Sequence, residues 1–209
     1  MVILAGGQGS RLGFDHPKGM YDIGLNSKKS IFQILTERFL RAQMTAHGTD
    51  KLSDSVQTCK LMIMTSTINH AETVDFFKSN NYFGAREESF MFFPQAMLPA
   101  IDDKTGKILM KSKCEMQLSP NGNGALFEAI NTNAVVQKCI EAVDLVQVIG
   151  VDNVLNRLLD PVQVYFTASK QLETSLKCLV KRSPDEKVGV VCKKNNKYDI
   201  VEYSELSDE

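Results

Sequence analysis

Leu4-Ala5-Gly6-Gly7-Gln8-Gly9-Ser10-Arg11-Leu12-Gly13-Phe14-Asp15-His16-Pro17-Lys18-Gly19 is the stretch on which the reading of this chain turns. The apolar residues just before it predict a short buried strand that opens directly onto a glycine loop. Glycines let backbone N–H groups come close to an anion. Arg11 and Lys18 then place two cations just past the loop. A guanidinium can grip phosphate oxygens bidentately, an ammonium acts as a mobile point charge, and Pro17 stiffens the approach to Lys18. Together these residues predict a loop that holds a polyphosphate. It is not the dinucleotide fingerprint, because Leu12 stands where the third glycine would fall; nor is it a Walker A loop, because Gly19 follows Lys18. A glycine-rich run alone would also suit a tight turn; the two cations favour the phosphate reading.

Working outward, Ser30 opens a helix with Ile31, Ile34, Leu35 and Phe39 at helical spacing. Residues 46–58 read as a polar surface loop, 61–64 as a second buried strand, and 67–80 as a helix stopped by Asn80-Asn81. Residues 90–93 predict a third strand, 95–99 a turn, and 102–118 a small hairpin about Thr105-Gly106. A single helix is expected over 124–142, entered from Pro120-Asn121-Gly122-Asn123-Gly124. Strands follow over 145–151 and 162–166, and 188–192 pairs with 200–203 across a polar turn. Alternating strands and helices predict an α/β fold around a mainly parallel sheet. Ligands of such sheets sit beyond the carboxyl ends of the strands. The glycine loop, Gln95 and Asp152 all fall there.

The 209 residues suffice for one sizeable domain with a small annex. Lys plus Arg (24) nearly balance Asp plus Glu (25), so the net charge carries no nucleic-acid footprint. Cys59, Cys114, Cys139, Cys178 and Cys192 are scattered without a Cys-x-x-Cys pair, which points to reduced, mostly buried thiols and a cytoplasmic location. His16, His47 and His70 form no zinc-like pair, and no apolar run is long enough to span a membrane. Methionines 62, 64, 91 and 97 read as core packing. A strand starting at Met1 and a chain stopping just past another strand suggest part of a longer protein.

Leu4, Gly6, Gly7, Gly9, Ser10, Arg11, Gly13, Pro17 and Lys18 together resemble the signature of sugar nucleotidyltransferases. The continuation Gly24-Leu25, Ser27-Lys28-Lys29-Ser30-Ile31-Phe32-Gln33 resembles the eukaryotic-type UDP-sugar pyrophosphorylases. Later motifs are similar to the UDP-N-acetylglucosamine pyrophosphorylase branch: Gln95 with Met97-Leu98-Pro99-Ala100, Pro120-Asn121-Gly122-Asn123-Gly124, Val151-Asp152-Asn153 with Asp160-Pro161, and Val188-Gly189-Val190-Val191-Cys192 with Val201-Glu202-Tyr203-Ser204-Glu205. The resemblance covers essentially the whole chain. Ser10 stands for the commoner Thr, and Ala96 and Ala125 stand where the branch carries glycine. Family members also extend on both sides of this region, and their later lysine and asparagine toward phosphate and sugar have no counterpart here.

The resemblance implies a Rossmann-like, GT-A-like nucleotidyltransferase fold, incomplete relative to the family. Residues 1–209 would be the UTP-binding domain, with 170–209 starting the sugar-binding part. The implied reaction joins UTP and N-acetylglucosamine 1-phosphate into UDP-N-acetylglucosamine and pyrophosphate. Arg11 would hold the departing β/γ end and Lys18 the α-phosphate. Leu4, Ala5, Gly6, Gly7, Gly9, Gln95, Pro120, Asn121 and Gly122 would hold the nucleotide, and Asn121, Gly189 and Glu202 the sugar. Asp152 would hold Mg²⁺ or Mn²⁺ on the triphosphate. The expected partners are these small molecules, not nucleic acid or membrane. From the residues alone, Asp152 also suits a helix N-cap, Gln95 an ordinary loop, Asn121-Gly122 a plain turn, and Gly189 and Glu202 a strand surface. Two other readings compete: a UDP-glucose or broad UDP-sugar pyrophosphorylase, and a UTP-binding module inactive as the isolated 209 residues.

Overall fold

A computed structural model describes residues 1–51 and 59–203, apart from the side chain of Arg11. The chain divides into two compact units, Met1–Phe166 and Thr167–Glu209. In the first, β1 (Val2–Leu4), α1 (Ile31–Ala46), β2 (Leu61–Ser66), α2 (His70–Ser79) and β3 (Phe90–Gln95) follow in order. Short strands come next: β4 (Met97–Pro99), β5 (Met110–Ser112), β6 (Glu115–Met116) and β7 (Leu118–Pro120). They lead to α3 (Ala125–Thr132), α4 (Ala134–Glu141), β8 (Val148–Gly150) and α5 (Pro161–Ser169), whose last turn already belongs to the second unit.

The central sheet has the order β3-β2-β1-β8, and every pairing in it is parallel. Its strands read as continuous apolar runs because both faces are covered. Side chains alternate between those faces. Ile3, Leu61, Ile63, Phe90 and Phe92 join one core with Phe32, Leu35 and Phe39 of α1 and Phe77 of α2. Val2, Met62, Met64, Met91 and Phe93 join the other, with Leu126 and Ala129 of α3 and Val136 of α4. The sheet therefore separates α1 and α2 from α3 and α4. Met62 and Met64 are buried as expected and Met91 packs against the second core, but Met97 lies in neither core, and the five cysteines are half-buried or exposed rather than buried.

The start of α1 follows from one hydroxyl. Ser30 Oγ accepts from the Gln33 N–H at 3.2 Å, a side-chain cap on an otherwise unpaired backbone donor. Ser30→Ala is expected to destabilise the protein by about 1 kcal/mol, measurable as a lower midpoint in chemical unfolding. An unchanged midpoint would remove the cap from the account of this helix.

Three local expectations are corrected. Residues 162–166 are not a strand: they lie in α5. Asp160 accepts from the Val162 N–H through its side chain (3.1 Å) and from the Val164 N–H through its carbonyl (2.9 Å), and Pro161 suits the first helical position. That start outweighs the strand propensity of Val162, Val164, Tyr165 and Phe166. Residues 124–142 form two helices rather than one. Asn133 leaves the helical region (φ −109°, ψ 102°), and its side chain caps α4 by accepting from Val135 and Val136. Residues 95–99 are not a turn, since β3 runs through Gln95 and β4 begins at Met97. Pro94 is tolerated in β3 because β3 lies at the sheet edge.

The hairpin around Thr105-Gly106 is present, closed by the Ile101–Ile108 bridge. Its turn is held by Asp102, whose carboxylate accepts from the Thr105 hydroxyl and N–H, both at 2.8 Å. Those bonds keep Asp102 below the ordinary carboxylate range. The turn therefore keeps this grip at neutral pH and loses it as the pH falls through that lowered value. A second small hairpin pairs β5 with β6, and β4 pairs antiparallel with β7.

In the second unit, β9 (Val190–Lys194) and β10 (Lys197–Val201) form the expected antiparallel hairpin. Asn195 and Asn196 make its two-residue turn with φ of 50° and 65°. Asparagine tolerates that left-handed region better than most residues.

Candidate functional site

From β1 the chain moves outward to β2 and β3, then returns to place β8 on the other side of β1. Beyond the carboxyl ends of β1 and β8 the crossovers diverge, leaving a crevice that the fold itself creates. A cleft of about 210 Å³ occupies this place. It is lined by Leu4, Gly6, Gly7, Lys18, Gln95, Pro120, Gly122 and Asp152 of the predicted set. Asn123, Gly150 and Val151 complete the wall.

The glycine loop leaves β1 and is pinned at both ends. The Ala5 N–H donates to Met64 O at 2.8 Å, and the Gly9 N–H donates to His16 O at 2.9 Å. Gln8 and Pro17 face each other as an isolated antiparallel bridge, so the chain doubles back and delivers Lys18 to the cleft. His16 also reaches Glu72 of α2. Gly9 thus shapes the loop rather than lining the cleft, and Ala5 is buried beneath it.

Lys18 Nζ lies 2.9 Å from Asp152 Oδ2, although the two residues are 134 positions apart. Lys18 is 21% exposed and Asp152 65% exposed, so the ammonium is partly sheltered and the carboxylate faces solvent. Such a pair contributes little to stability. Its significance is placement: one cation and one carboxylate stand side by side where a charged ligand would enter. Among the described residues no group of three or more His, Cys, Asp or Glu side chains gathers around a metal position. Asp152 alone could serve a divalent cation carried in on phosphate oxygens, a mode that suits Mg²⁺.

Gln95 ends β3 and is only 5% exposed. Its Oε1 is buried without a hydrogen-bond partner. A buried acceptor left unpaired is costly, so Oε1 is poised for a donor on a ligand. Its neighbour explains one glycine. A Cβ added at Gly6 would lie 1.8 Å from Gln95 Nε2, so a side chain here would require the Gln95 amide to move. Gly122, at φ +84°, turns the chain into α3. Asn121 is held by its N–H donating to Ala96 O (3.1 Å) and its Nδ2 donating to Glu128 Oε2 (3.2 Å).

Three predicted residues stand apart. The side chain of Arg11 lies outside the described residues; its backbone belongs to the short turn Ser10–Leu12. Gly189 and Glu202 lie in the second unit, next to one another: a Cβ on Gly189 would meet Glu202 Oε1 at 3.6 Å. The sequence reading did not single out Asn69. It is fully buried between β2 and α2, with its side chain bonded to the glycine loop. The polar run Thr65-Ser66-Thr67 after the apolar residues Leu61–Met64 marks a change at the end of β2 but does not single out Asn69.

The family described as UTP–glucose-1-phosphate uridylyltransferase matches residues 1–209. The UDP-N-acetylglucosamine pyrophosphorylase of Saccharomyces cerevisiae is 42% identical over 211 residues, covering 100% of this chain and 43% of that protein. The crystal structure of the uridine diphosphate N-acetylglucosamine pyrophosphorylase from Trypanosoma brucei superimposes with a TM-score of 0.84 at 35% identity, over 98% of this chain and 42% of that one. A UDP-glucose pyrophosphorylase from Leishmania major shares the fold, with a TM-score of 0.70 at 17% identity over 99% of this chain and 44% of that one. The chain thus spans less than half the length of the curated relatives it matches.

Proposed function

Because the chain belongs to the UTP–glucose-1-phosphate uridylyltransferase family, we propose that it forms the nucleotide-binding part of a UDP-N-acetylglucosamine pyrophosphorylase. The full-length protein would join UTP and N-acetylglucosamine 1-phosphate into UDP-N-acetylglucosamine and pyrophosphate. The observation that carries this reading is the cleft at the switch point, where Gly6, Gly7, Lys18, Gln95 and Asp152 meet. The higher identity to relatives named for the N-acetylglucosamine substrate favours it over the UDP-glucose reading.

In this reading Gln95 Oε1 accepts from the uracil N3–H, which supplies the donor that the buried acceptor lacks. Leu4, Ala5, Pro120 and Gly122 shape the walls around the nucleoside, and Gly6, Gly7 and Gly9 carry the loop past the phosphates. A phosphate oxygen of the sugar phosphate attacks the α-phosphorus of UTP in line, and the β/γ end leaves as pyrophosphate. Such a transfer is accelerated by positioning and by charges fixed where negative charge accumulates. Lys18 supplies that charge at the α-phosphate and Arg11 at the leaving end. Asp152 would hold Mg²⁺, which when bound spreads the triphosphate charge. Asn121 would contact the sugar.

The test is a pyrophosphate-release assay on the full-length protein with N-acetylglucosamine 1-phosphate or glucose 1-phosphate as acceptor. Turnover is expected with the former and at most weakly with the latter; a strong preference for glucose 1-phosphate overturns the choice of branch. Calorimetry of UTP on residues 1–209 asks a separate question, and binding without turnover is expected there.

A further inference from the structure

We propose that Asn69 is a positioning residue that sets the peptide orientation of the glycine loop, and with it the affinity for UTP. This inference rests on the reading of the cleft as a UTP site. Asn69 is 0% exposed and touches the site only through protein backbone. Its carboxamide is fully used. Oδ1 accepts from the Ser66 N–H at 2.8 Å and the Ser66 hydroxyl at 3.1 Å. Nδ2 donates to Ala5 O at 3.0 Å and to Gly7 O at 3.4 Å. A flipped amide would set its NH₂ against the Ser66 N–H and its oxygen against two carbonyls, so these partners fix one orientation.

Those two carbonyls bracket the part of the loop that lines the cleft. In a trans peptide the N–H points opposite to the C=O, and the described residues contain no cis peptide. By holding Ala5 O and Gly7 O, Asn69 therefore turns the N–H groups of Gly6 and Gln8 away from itself. Among the described residues neither of these N–H groups has an acceptor. They are the backbone donors left open for a ligand anion. Gly7 O also accepts from the Lys18 N–H at 3.3 Å. One carbonyl thus links Asn69 to the backbone of the residue that carries the cation.

An alanine at this position frees the Ala5 carbonyl and leaves the Gly7 carbonyl held by the Lys18 N–H alone. An aspartate keeps the acceptor toward Ser66 but sets an oxygen against Ala5 O and Gly7 O. The test compares Asn69→Ala and Asn69→Asp with the wild type in the full-length protein. The readouts are UTP affinity by calorimetry, the KM of each substrate, and the melting temperature. Both variants are expected to bind UTP at least tenfold more weakly and to raise the KM for UTP, with the KM for the sugar phosphate changing less than twofold. A purely structural role would lower the folded fraction, and hence kcat, without moving the UTP affinity of folded molecules. If either folded variant keeps wild-type UTP affinity, or if both KM values rise together, the inference falls. Should Asn69→Ala not fold, Asn69→Asp decides alone, because it retains the bonds to Ser66. If the wild type itself binds no UTP, the reading of the cleft fails first, and that result is distinct from either variant outcome.

Discussion

Lys18→Ala is expected to lower kcat of the full-length protein by about 10²–10³-fold, the loss associated with removing one preorganised charge or donor from an acyl or phosphoryl transition state. The expectation follows from place rather than from residue type. Lys18 is the cation that the doubled-back loop delivers into the cleft, and Asp152, its side-chain partner among the described residues, faces solvent. Loss of a partly exposed ion pair should cost little stability, so the melting temperature is expected to stay within a few degrees. UTP affinity should fall less than kcat, because charge at the α-phosphorus grows as the transfer proceeds. Steady-state kinetics together with calorimetry separate the two effects. A variant that retains wild-type kcat would move the catalytic charge to another residue.

Gly6→Ala is expected to weaken UTP binding about tenfold or more, for a reason that is steric rather than electrostatic. The added methyl carbon would sit 1.8 Å from Gln95 Nε2, well inside any permitted contact. Either the Gln95 amide leaves its place or the loop lifts off the sheet. The first loses the acceptor proposed for uracil; the second loses the phosphate-facing backbone. The damage should remain local, since Gly6 lies past the end of β1 and outside both hydrophobic cores. Circular dichroism is therefore expected to be unchanged while calorimetry shows weakened UTP binding. Gly6→Ala protein that binds UTP normally would show that the Gln95 amide moves aside freely, and would weaken its assignment to the base. Gln95→Ala would then be the decisive companion, with discrimination between UTP and CTP as its readout.

These two residues also show what could be read beforehand. Lys18 was legible because its neighbours are local: the glycines, Arg11 and Pro17 lie within a single loop. Gln95 was legible as a residue at a strand end, but its burial and unpaired Oε1 depend on β3 pairing through Ser66↔Gln95, a contact between distant segments. Asn69 was not legible, because nothing near it names Ala5 and Gly7 as partners 64 and 62 positions away. The architecture was readable from the apolar runs of β1, β2 and β3, since a sheet covered on both faces leaves that mark. The misreading of residues 162–166 has the opposite lesson. Local propensity pointed to a strand, while Asp160 and Pro161, two residues that start helices well, settled the outcome.

The placement of β8 has a consequence in time. β1 pairs with β8 only once the long stretch of chain between them has been made, since Val2 lies opposite Val148 and Ile3 opposite Ile149. Contacts of such long sequence separation are slow to form. Until they form, Asp152 has no reason to be near Lys18 and the cleft has one wall. During synthesis, a chain stalled before residue 148 should hold nucleotide poorly even with its glycine loop complete. Ligand binding would then report that the sheet has closed, and ligand in excess would draw late folding forward by mass action.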